Sequence, residues 1–283
     1  MLEILDPGPL CTVQDLGRAG WAHLGVGASG AADRASHRLA NRLVGNSAGC
    51  ATLESTFGGL RVRFEIAVYV ALAGADCPAI TRPHHAIGHG RPIALVAGTE
   101  LVLGAPRSGL RTYLAVRGGI DAPVIMGSRS TDLLNGLGLA PLVSGDRLTI
   151  GAAQRTAVPT DFAPPSLPDS SPLTLWPGPR HHWFTSAAHD ALVAAPYEVL
   201  PTSNRIGARL SGAALERSVL RELPSEGIIE GAVQVPNDGQ PLVFLADHGV
   251  TGGYPVIAIV APTDVGRIAQ ARPGERLRFR WTR

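Results

Sequence analysis

The sequence contains no lysine: all 25 of its Lys+Arg positions are arginine. That absence removes Schiff-base catalysis, a Walker-type phosphate lysine and a biotin-carrying lysine from this chain. A bias in the nucleotide composition of the source genome accounts for it equally well. Cysteine is scarce and odd in number. Cys11, Cys50 and Cys77 lack metal-type spacing and imply no disulfide framework, so a reducing compartment is expected. Charged residues make up only 17% and the formal net charge is +2. The arginines are scattered, and the densest stretch, Arg276, Arg278 and Arg280, alternates as a strand face would, which argues against nucleic-acid binding. No apolar run is long enough to cross a bilayer; the longest, Ile66 to Ala75, falls well short. Met1 to Ile4 runs straight into Pro7-Gly8-Pro9 with no basic n-region, so no signal peptide is read and a cytoplasmic, membrane-free location is expected. No nucleophile is announced: there is no GxSxG elbow, no cysteine with an obvious histidine partner and no Ser-x-x-Lys.

The 283 residues allow one large domain or two of ordinary size, and a hydrophobic fraction of 45% supports a real core. With 34 glycines and 23 prolines, many turns and short strands are expected rather than long helices. Leu2 to Leu5, Leu60 to Phe64, Ile66 to Leu72, Ile93 to Val96, Leu101 to Leu103 and Tyr113 to Val116 read as strands. Thr12 to Arg18 reads as a structured loop. Asp33 to Val44 has helical spacing with Gly45 as its stop, and His189 to Ala194 is a second short helix. Gly98 to Leu103, Gly145 to Ile150 and Gly274 to Phe279 share one pattern, a turn glycine, a polar pair and an alternating strand, and the later two would each close one half of the chain. Gly151 to Pro172 lacks periodicity and reads as a linker. The expected architecture is mainly β with a few short helices: two barrel-type halves, residues 1–155 and 173–283, joined by a Pro/Ser-rich linker over 156–172.

Several segments carry chemistry and also admit a plain structural reading. Gly25-Val26-Gly27-Ala28-Ser29-Gly30 is a GxGxxG, but no buried strand precedes it, as a dinucleotide site requires. Its glycines either expose N–H groups to a ligand carboxylate or phosphate near a helix N-terminus, or form a tight turn into a capped helix. His84, His85 and His89 lie among Pro83, Gly88, Gly90 and Pro92, which favours an exposed hairpin over a metal site, and no metal is expected. His181-His182 beside Trp183 is a ligand contact or a surface turn. Ser203 to Leu210 offers a hydroxyl, an amide and the two guanidiniums of Arg205 and Arg209, suited to carboxylates and acyl phosphates, or else a solvated strand. Glu222 to Gly227, Gly231 to Pro236 and Thr251-Gly252-Gly253-Tyr254-Pro255 place carboxylates, a glutamine and glycine turns at strand ends.

Taken in order, these segments resemble a known family. Thr12-Val13-Gln14-Asp15-Leu16-Gly17-Arg18, Gly25-Val26, Ser29-Gly30 and Asp33 look like the opening signature of the carboxyltransferase-type AHS2 family (allophanate hydrolase subunit 2-like). Ala40 to Asn46, Leu53-Glu54, Tyr113 to Ile120, Gly127 to Asp132, Pro177 to Arg180, Ser203 to Leu210, Ser225 to Gly227, Gln234 to Pro236, Gly239 to Pro241 and Thr251 to Pro255 continue the match over most of the chain. Ala32, Asn204 and His248-Gly249-Val250 depart from it, near the presumed site, which puts substrate identity in question more than fold. Members include the C subunit of 5-oxoprolinase, KipA-type antagonists of a kinase inhibitor and part of urea carboxylase.

The resemblance implies cyclophilin-like β-barrel character and an obligate partner, the B subunit of AHS1 type, with an A subunit of LamB/YcsF type completing the 5-oxoprolinase system. It implies the place of the C subunit in an ATP-dependent 5-oxoprolinase, which opens 5-oxo-L-proline to L-glutamate and is inactive without its partners. ATP is expected at or with the partner subunits. The alternatives are a biotin-dependent carboxyltransferase component acting on urea or a similar amide, with biotin on another chain, and a KipA-like regulatory partner. Within the family reading, Asp15, Arg205 and Glu226 are the catalytic candidates. Arg205 and Arg209 neutralise an anion, while Asp15 and Glu226 transfer a proton or orient a polar partner. Gln14, Ser29, Gly30, Asp33, Arg209, Gln234, Thr251, Gly252 and Tyr254 form the substrate-binding set.

Overall fold

The computed structural model describes residues 1–82, 85–153, 162–163 and 169–282. His84 and most of the 156–172 linker expectation lie outside the described residues. The chain is mainly β, with barrel-like sheets and, among the described residues, three α-helices. It divides into two compact units. The first comprises Met1–Arg18, Ser29–Asp132 and Gly136–Pro168; the second comprises Ala19–Ala28, Leu133–Asn135 and Asp169–Arg283.

In the first unit, a seven-stranded sheet runs in the order Ile120–Asp121, Arg147–Ile150, Leu2–Asp6, Arg61–Phe64, Glu100–Leu103, Ala79–Arg82, His85–Ile87. A five-stranded sheet runs Leu10–Gln14, Thr52–Thr56, Ser108–Val116, Val68–Asp76, Ile93–Leu95. The period of two explains which side chains meet. In Arg61–Phe64, Val62 and Phe64 are fully buried, while Arg63 points outward to bond Glu100 at 2.7 Å and Glu3 at 3.3 Å across the neighbouring strands. Leu2, Ile4, Leu53, Val62, Phe64, Leu72, Leu101 and Leu114 belong to one apolar cluster. Truncating such a leucine to alanine costs about 2–5 kcal/mol.

The reading of Thr12 to Arg18 as a loop is corrected by the strand Leu10–Gln14, which pairs antiparallel with Thr52–Thr56. Its alternation of Cys11 and Val13 with Thr12 and Gln14 is a strand pattern. The polar face turns into the protein rather than to water, so all four residues are buried.

Helix α1, Arg34–Leu43, starts where Asp33 accepts the Ser36 amide at 3.1 Å and its hydroxyl at 2.6 Å. It buries His37, Ala40, Asn41 and Leu43 and ends before Gly45, whose φ is +74°.

In the second unit, an eight-stranded sheet runs Arg276–Leu277, Tyr197–Val199, Gly207–Ser211, Leu242–Phe244, Ala232–Gln234, Val256–Val260, Leu173–Pro177, Phe279–Trp281. Its first and last members are separated in sequence only by Arg278, so the sheet wraps round until its two edges meet in one stretch of chain, which is how a barrel closes. Helix α2 spans Ser186–Ala194, one turn longer than its spacing suggested, because Thr185 caps it by accepting the Ala188 amide at 3.1 Å. Helix α3, Pro262–Ala269, was not read from the sequence; it is two turns long and begins at a proline in the position where a missing N–H does no harm. The recurring glycine pattern is structural. Gly98, Gly145 and Gly274 have φ of +83°, +94° and +86°, and a strand begins two residues after each.

Candidate functional site

Gln14, Asp15 and Ser29 form one buried polar network at the end of the strand Leu10–Gln14. Asp15 is 7% exposed and its carboxylate is fully engaged. Oδ1 accepts from the Gly17 amide at 2.8 Å, Ser128 Oγ at 2.6 Å and Ser130 Oγ at 2.5 Å; Oδ2 accepts from the Arg129 amide at 2.7 Å. Ser130 Oγ in turn accepts the Asp15 amide at 2.9 Å. Gln14 Nε2 and Ser29 Oγ both donate to the Thr131 carbonyl, at 3.0 and 3.1 Å. Arg18, 1% exposed, donates to the Ser130 carbonyl and lies 3.5 Å from Asp132. Strand end, glycine turn and the 128–132 segment are thus cross-tied by charge-assisted bonds, the strong class of hydrogen bond.

A second network lies next to it in sequence. Glu54 Oε2 accepts the Ala32 amide at 3.0 Å and Tyr113 Oη at 2.7 Å, and Tyr113 Oη accepts the Asp33 amide at 2.7 Å. Burial first, then the charges of Glu54 and Asp33, push the Tyr113 phenol well up. Arg111 lies 3.5 Å from the other Glu54 oxygen. Of the two amides that lead into α1, that of Ala32 binds the protein's own Glu54 carboxylate and that of Asp33 the Tyr113 hydroxyl.

The glycine motif fares similarly. Gly25, φ +80°, closes the short 3-10 helix Ala22–Leu24. A Cβ on Gly27 would lie 2.8 Å from the His248 carbonyl, and one on Gly30 would lie 2.7 Å from the Gly17 amide. These glycines permit close backbone packing. They form no phosphate cradle, and without a lysine the segment does not fit ATP.

The candidates of the second unit fall into two groups. Arg205 is 1% exposed and grips Asp247 with Nε and Nη2 at 2.8 and 3.0 Å. Asp247 also accepts the Leu133 amide at 3.3 Å and donates its own amide to the Arg205 carbonyl at 3.0 Å. Arg205, read as a clamp for a substrate anion, is therefore held by an internal partner and positions the 247–250 turn. Arg209 is exposed on the strand Gly207–Ser211, its amide bonded to Ser203 Oγ at 3.0 Å.

The other group is partly exposed: Thr251 and Tyr254 face solvent and Glu226 is half-buried, while Gln234 is buried. Glu226–Gly227 pairs with Thr251–Gly252, so Glu226 stands opposite Gly252. Gln234 Nε2 donates to the Tyr254 carbonyl at 3.0 Å, and a Cβ on Gly252 would lie 2.6 Å from that nitrogen, which is why glycine stands there. Both Arg180 Nε, at 3.1 Å, and Nη2 donate to Glu226. That fork holds the Glu226 carboxyl below the usual carboxylate range. Arg180 and Arg221 lie over the Trp183 ring at 5.3 and 5.1 Å, and Arg217 lies over Tyr254 at 5.8 Å. Tyr254 is 42% exposed. An ionised carboxylate, stacked guanidiniums and an amide at a glycine-permitted strand end can orient a small polar ligand.

His181 of the pair beside Trp183 sits in a 3-10 turn, its Nδ1 on the Gly178 carbonyl at 3.0 Å. Of the other histidines, His85 lies on the exposed hairpin strand, while His89 Nε2 meets the Cys77 carbonyl at 2.9 Å. Among the described residues no group of three or more His, Cys, Asp or Glu could hold a metal ion. Sequence reasoning did not assign site roles to Glu54, Tyr113, Ser128, Ser130, Arg180 or Asp247. All but Asp247 lie in segments that carry the family resemblance, so position within those blocks was the available signal.

A sheet-closed second unit and a first unit built on an Asp-Ser-Arg-Ser turn belong to a recognisable class. The profile of the carboxyltransferase domain, subdomain A and B, matches residues 24–281, and the chain belongs to that family. It is 42% identical to the C subunit of 5-oxoprolinase from Escherichia coli K12 over 99% of this chain and 90% of that protein. The solved structure of TTHA0988 superposes with a TM-score of 0.89 at 37% identity, covering 99% of this chain and 55% of that one, so the chain spans about half of it. Urea amidolyase of K. lactis superposes with a TM-score of 0.86 at 29% identity, covering 98% of this chain and 18% of that one.

Proposed function

We propose that this chain is the C subunit of an ATP-dependent 5-oxoprolinase, which acts with partner subunits to open 5-oxo-L-proline to L-glutamate and is inactive alone. The observation that carries this reading is its likeness to the C subunit of a 5-oxoprolinase, 42% identical over 99% of this chain and 90% of that protein. ATP then belongs to the B subunit, of AHS1 type, or to the A subunit, of LamB/YcsF type, in keeping with a chain that has neither lysine nor phosphate cradle. No helix of the described residues is long and apolar enough to cross a membrane, and a cytoplasmic setting with small-molecule substrate fits the free cysteines Cys11, Cys50 and Cys77.

In this reading the partly exposed group of the second unit meets the substrate. Glu226, kept ionised by Arg180, orients a donor. The Arg217–Tyr254 and Arg180–Trp183 stacks face anionic or planar groups, and Arg209 adds an exposed positive charge. A lactam is resonance-stabilised, so its opening needs activation of the ring carbonyl oxygen before water adds; this chain's contribution is to hold and orient the ring while that happens. Asp15, Gln14, Ser29, Gly30 and Asp33 frame the first unit.

A second reading, biotin-dependent carboxyl transfer to a small amide, is favoured by the likeness to urea amidolyase. It requires biotin on another protein, because no lysine is present. The test is reconstitution with the two partner subunits, supplying 5-oxoproline and ATP, and omitting each component in turn. Glutamate and ADP formed only when this chain is present support the proposal. An assembled complex that forms no glutamate overturns it, and avidin-sensitive carboxylation of urea would then establish the second reading.

A further inference from the structure

Three arginines belong to the group around Glu226, and only two of them have polar partners. Arg180 donates Nε and Nη2 to the Glu226 carboxylate. Arg217 donates Nη1 to Asn237 Oδ1 at 3.2 Å and Nη2 to the Val235 carbonyl. Arg221 lies over the Trp183 ring at 5.1 Å, and among the described residues it makes no hydrogen bond and no ion pair. Neither Glu222, the next residue, nor Glu226 pairs with it. Contact with an aromatic face uses the cation's charge and leaves its five N–H donors for another partner. Arg221 is exposed, so a ligand can reach those donors.

The segment that carries Arg221 is tied to the turn that presents the indole. The Ser218 and Val219 amides donate to the Trp183 carbonyl at 2.8 and 3.3 Å, and Arg217 forms a bridge with Phe184. Trp183 is only 3% exposed, so the platform under the guanidinium is fixed. Arg180 lies over the same ring at 5.3 Å, so the sum of the two distances, 10.4 Å, is the most that can separate the two guanidinium carbons. Arg221 therefore stands beside the Arg180–Glu226 pair to which the substrate is assigned. A hydrogen bond at either end, about 2.9 Å each, and a small ring between them span such a gap. Against the one carboxylate hydrogen-bonded to them, three guanidiniums leave this surface with an excess of positive charge that a second carboxylate would reduce.

We infer that Arg221 receives the carboxylate of the lactam substrate and is the residue that selects a carboxylated ring, with the face of Trp183 as its platform. The inference rests on the proposed 5-oxoprolinase reading and deepens it. The planar guanidinium fork matches the two oxygens of a carboxylate, and stacking on the indole holds it ready before the ligand arrives. A carboxamide in the same place offers one acceptor oxygen, no charge and an N–H group that faces other donors, so it is held more weakly.

The test uses the reconstituted complex, with 5-oxoproline as substrate and its neutral carboxamide, 5-oxoprolinamide, as competitive inhibitor. In the wild type the carboxamide binds about tenfold or more weaker than the acid, the effect of losing a charge-assisted hydrogen bond. Arg221→Met keeps an unbranched stem over Trp183 and removes the fork. It raises KM for 5-oxoproline about tenfold or more, changes kcat by less than about twofold and leaves inhibition by the carboxamide nearly unchanged. Arg221→Gln has the same expected effect and carries the test should the Met variant fail to assemble. An assembled variant that keeps the wild-type KM overturns the inference alone, and so does one that weakens acid and carboxamide in step, because a purely structural arginine would act on both. A wild-type complex that turns over no 5-oxoproline overturns the functional reading, and this inference with it.

Discussion

Asp15 and Glu226 are both carboxylates beside strand ends and glycine turns, and their surroundings differ in kind. Asp15 is buried and accepts from four donors of its own unit, two backbone amides and two serine hydroxyls. Glu226 is partly exposed, with the Arg180 fork as its partner, and Arg180 also lies over the buried Trp183 ring. A buried carboxylate that takes four internal donors is committed mainly to tying its own segments together. One held ionised at the surface retains capacity for a ligand. The same residue type in similar sequence surroundings therefore takes opposite roles, decided by how many local donors the fold directs at it.

The contrast can be broken most forcefully at the buried ion pair of the second unit. Asp247→Ala leaves the Arg205 guanidinium buried without its partner and is expected to cost about 3–5 kcal/mol of stability. Chemical denaturation of the isolated chain measures it, and a loss under about 1 kcal/mol would show that the pair is not structural. Asp15→Asn replaces an acceptor by a donor facing Ser128, Ser130 and the Arg129 amide; a loss of about 3 kcal/mol is expected by the same measurement.

A smaller effect follows from burial of His37, which pulls its imidazole below the ordinary value near 6.5. The folded form resists the proton and the unfolded chain takes it up first. Stability is therefore complete above about 6.5 and falls as the pH drops below that toward the folded value. The melting temperature should decline as the pH falls below about 6.5, and His37→Gln should flatten that decline. His89, lowered for the same reason, leaves a residual slope in the variant. The smallest expected effect on stability is that of Glu226→Gln, a solvent-screened pair whose removal leaves the melting temperature almost unchanged.

Much of the architecture was legible in the sequence. The alternation in Arg61–Phe64 and the glycines at Gly98, Gly145 and Gly274 announced strands and turns correctly, because period and positive φ are local properties. The strand Leu10–Gln14 was hidden because its polar face points into a network instead of water, which defeats the usual equation of polar with exposed. Helix α3 was hidden by its shortness. The candidate site was legible as a set of residues but not as a set of roles. Nothing at Arg205 in the sequence says that Asp247, 42 residues on, occupies its guanidinium. Nothing at Asp15 reveals that two serines more than 110 residues away take up one of its oxygens. Such partnerships are made by sheet closure, and only the three-dimensional arrangement displays them.

The most direct test sets folding against turnover at Glu226. The Glu226→Gln chain should melt with the wild type and assemble with its partners, while the reconstituted complex loses most of its 5-oxoproline turnover. A Glu226→Gln complex that assembles and turns over at the wild-type rate would contradict the account and return the functional role to the buried network around Asp15.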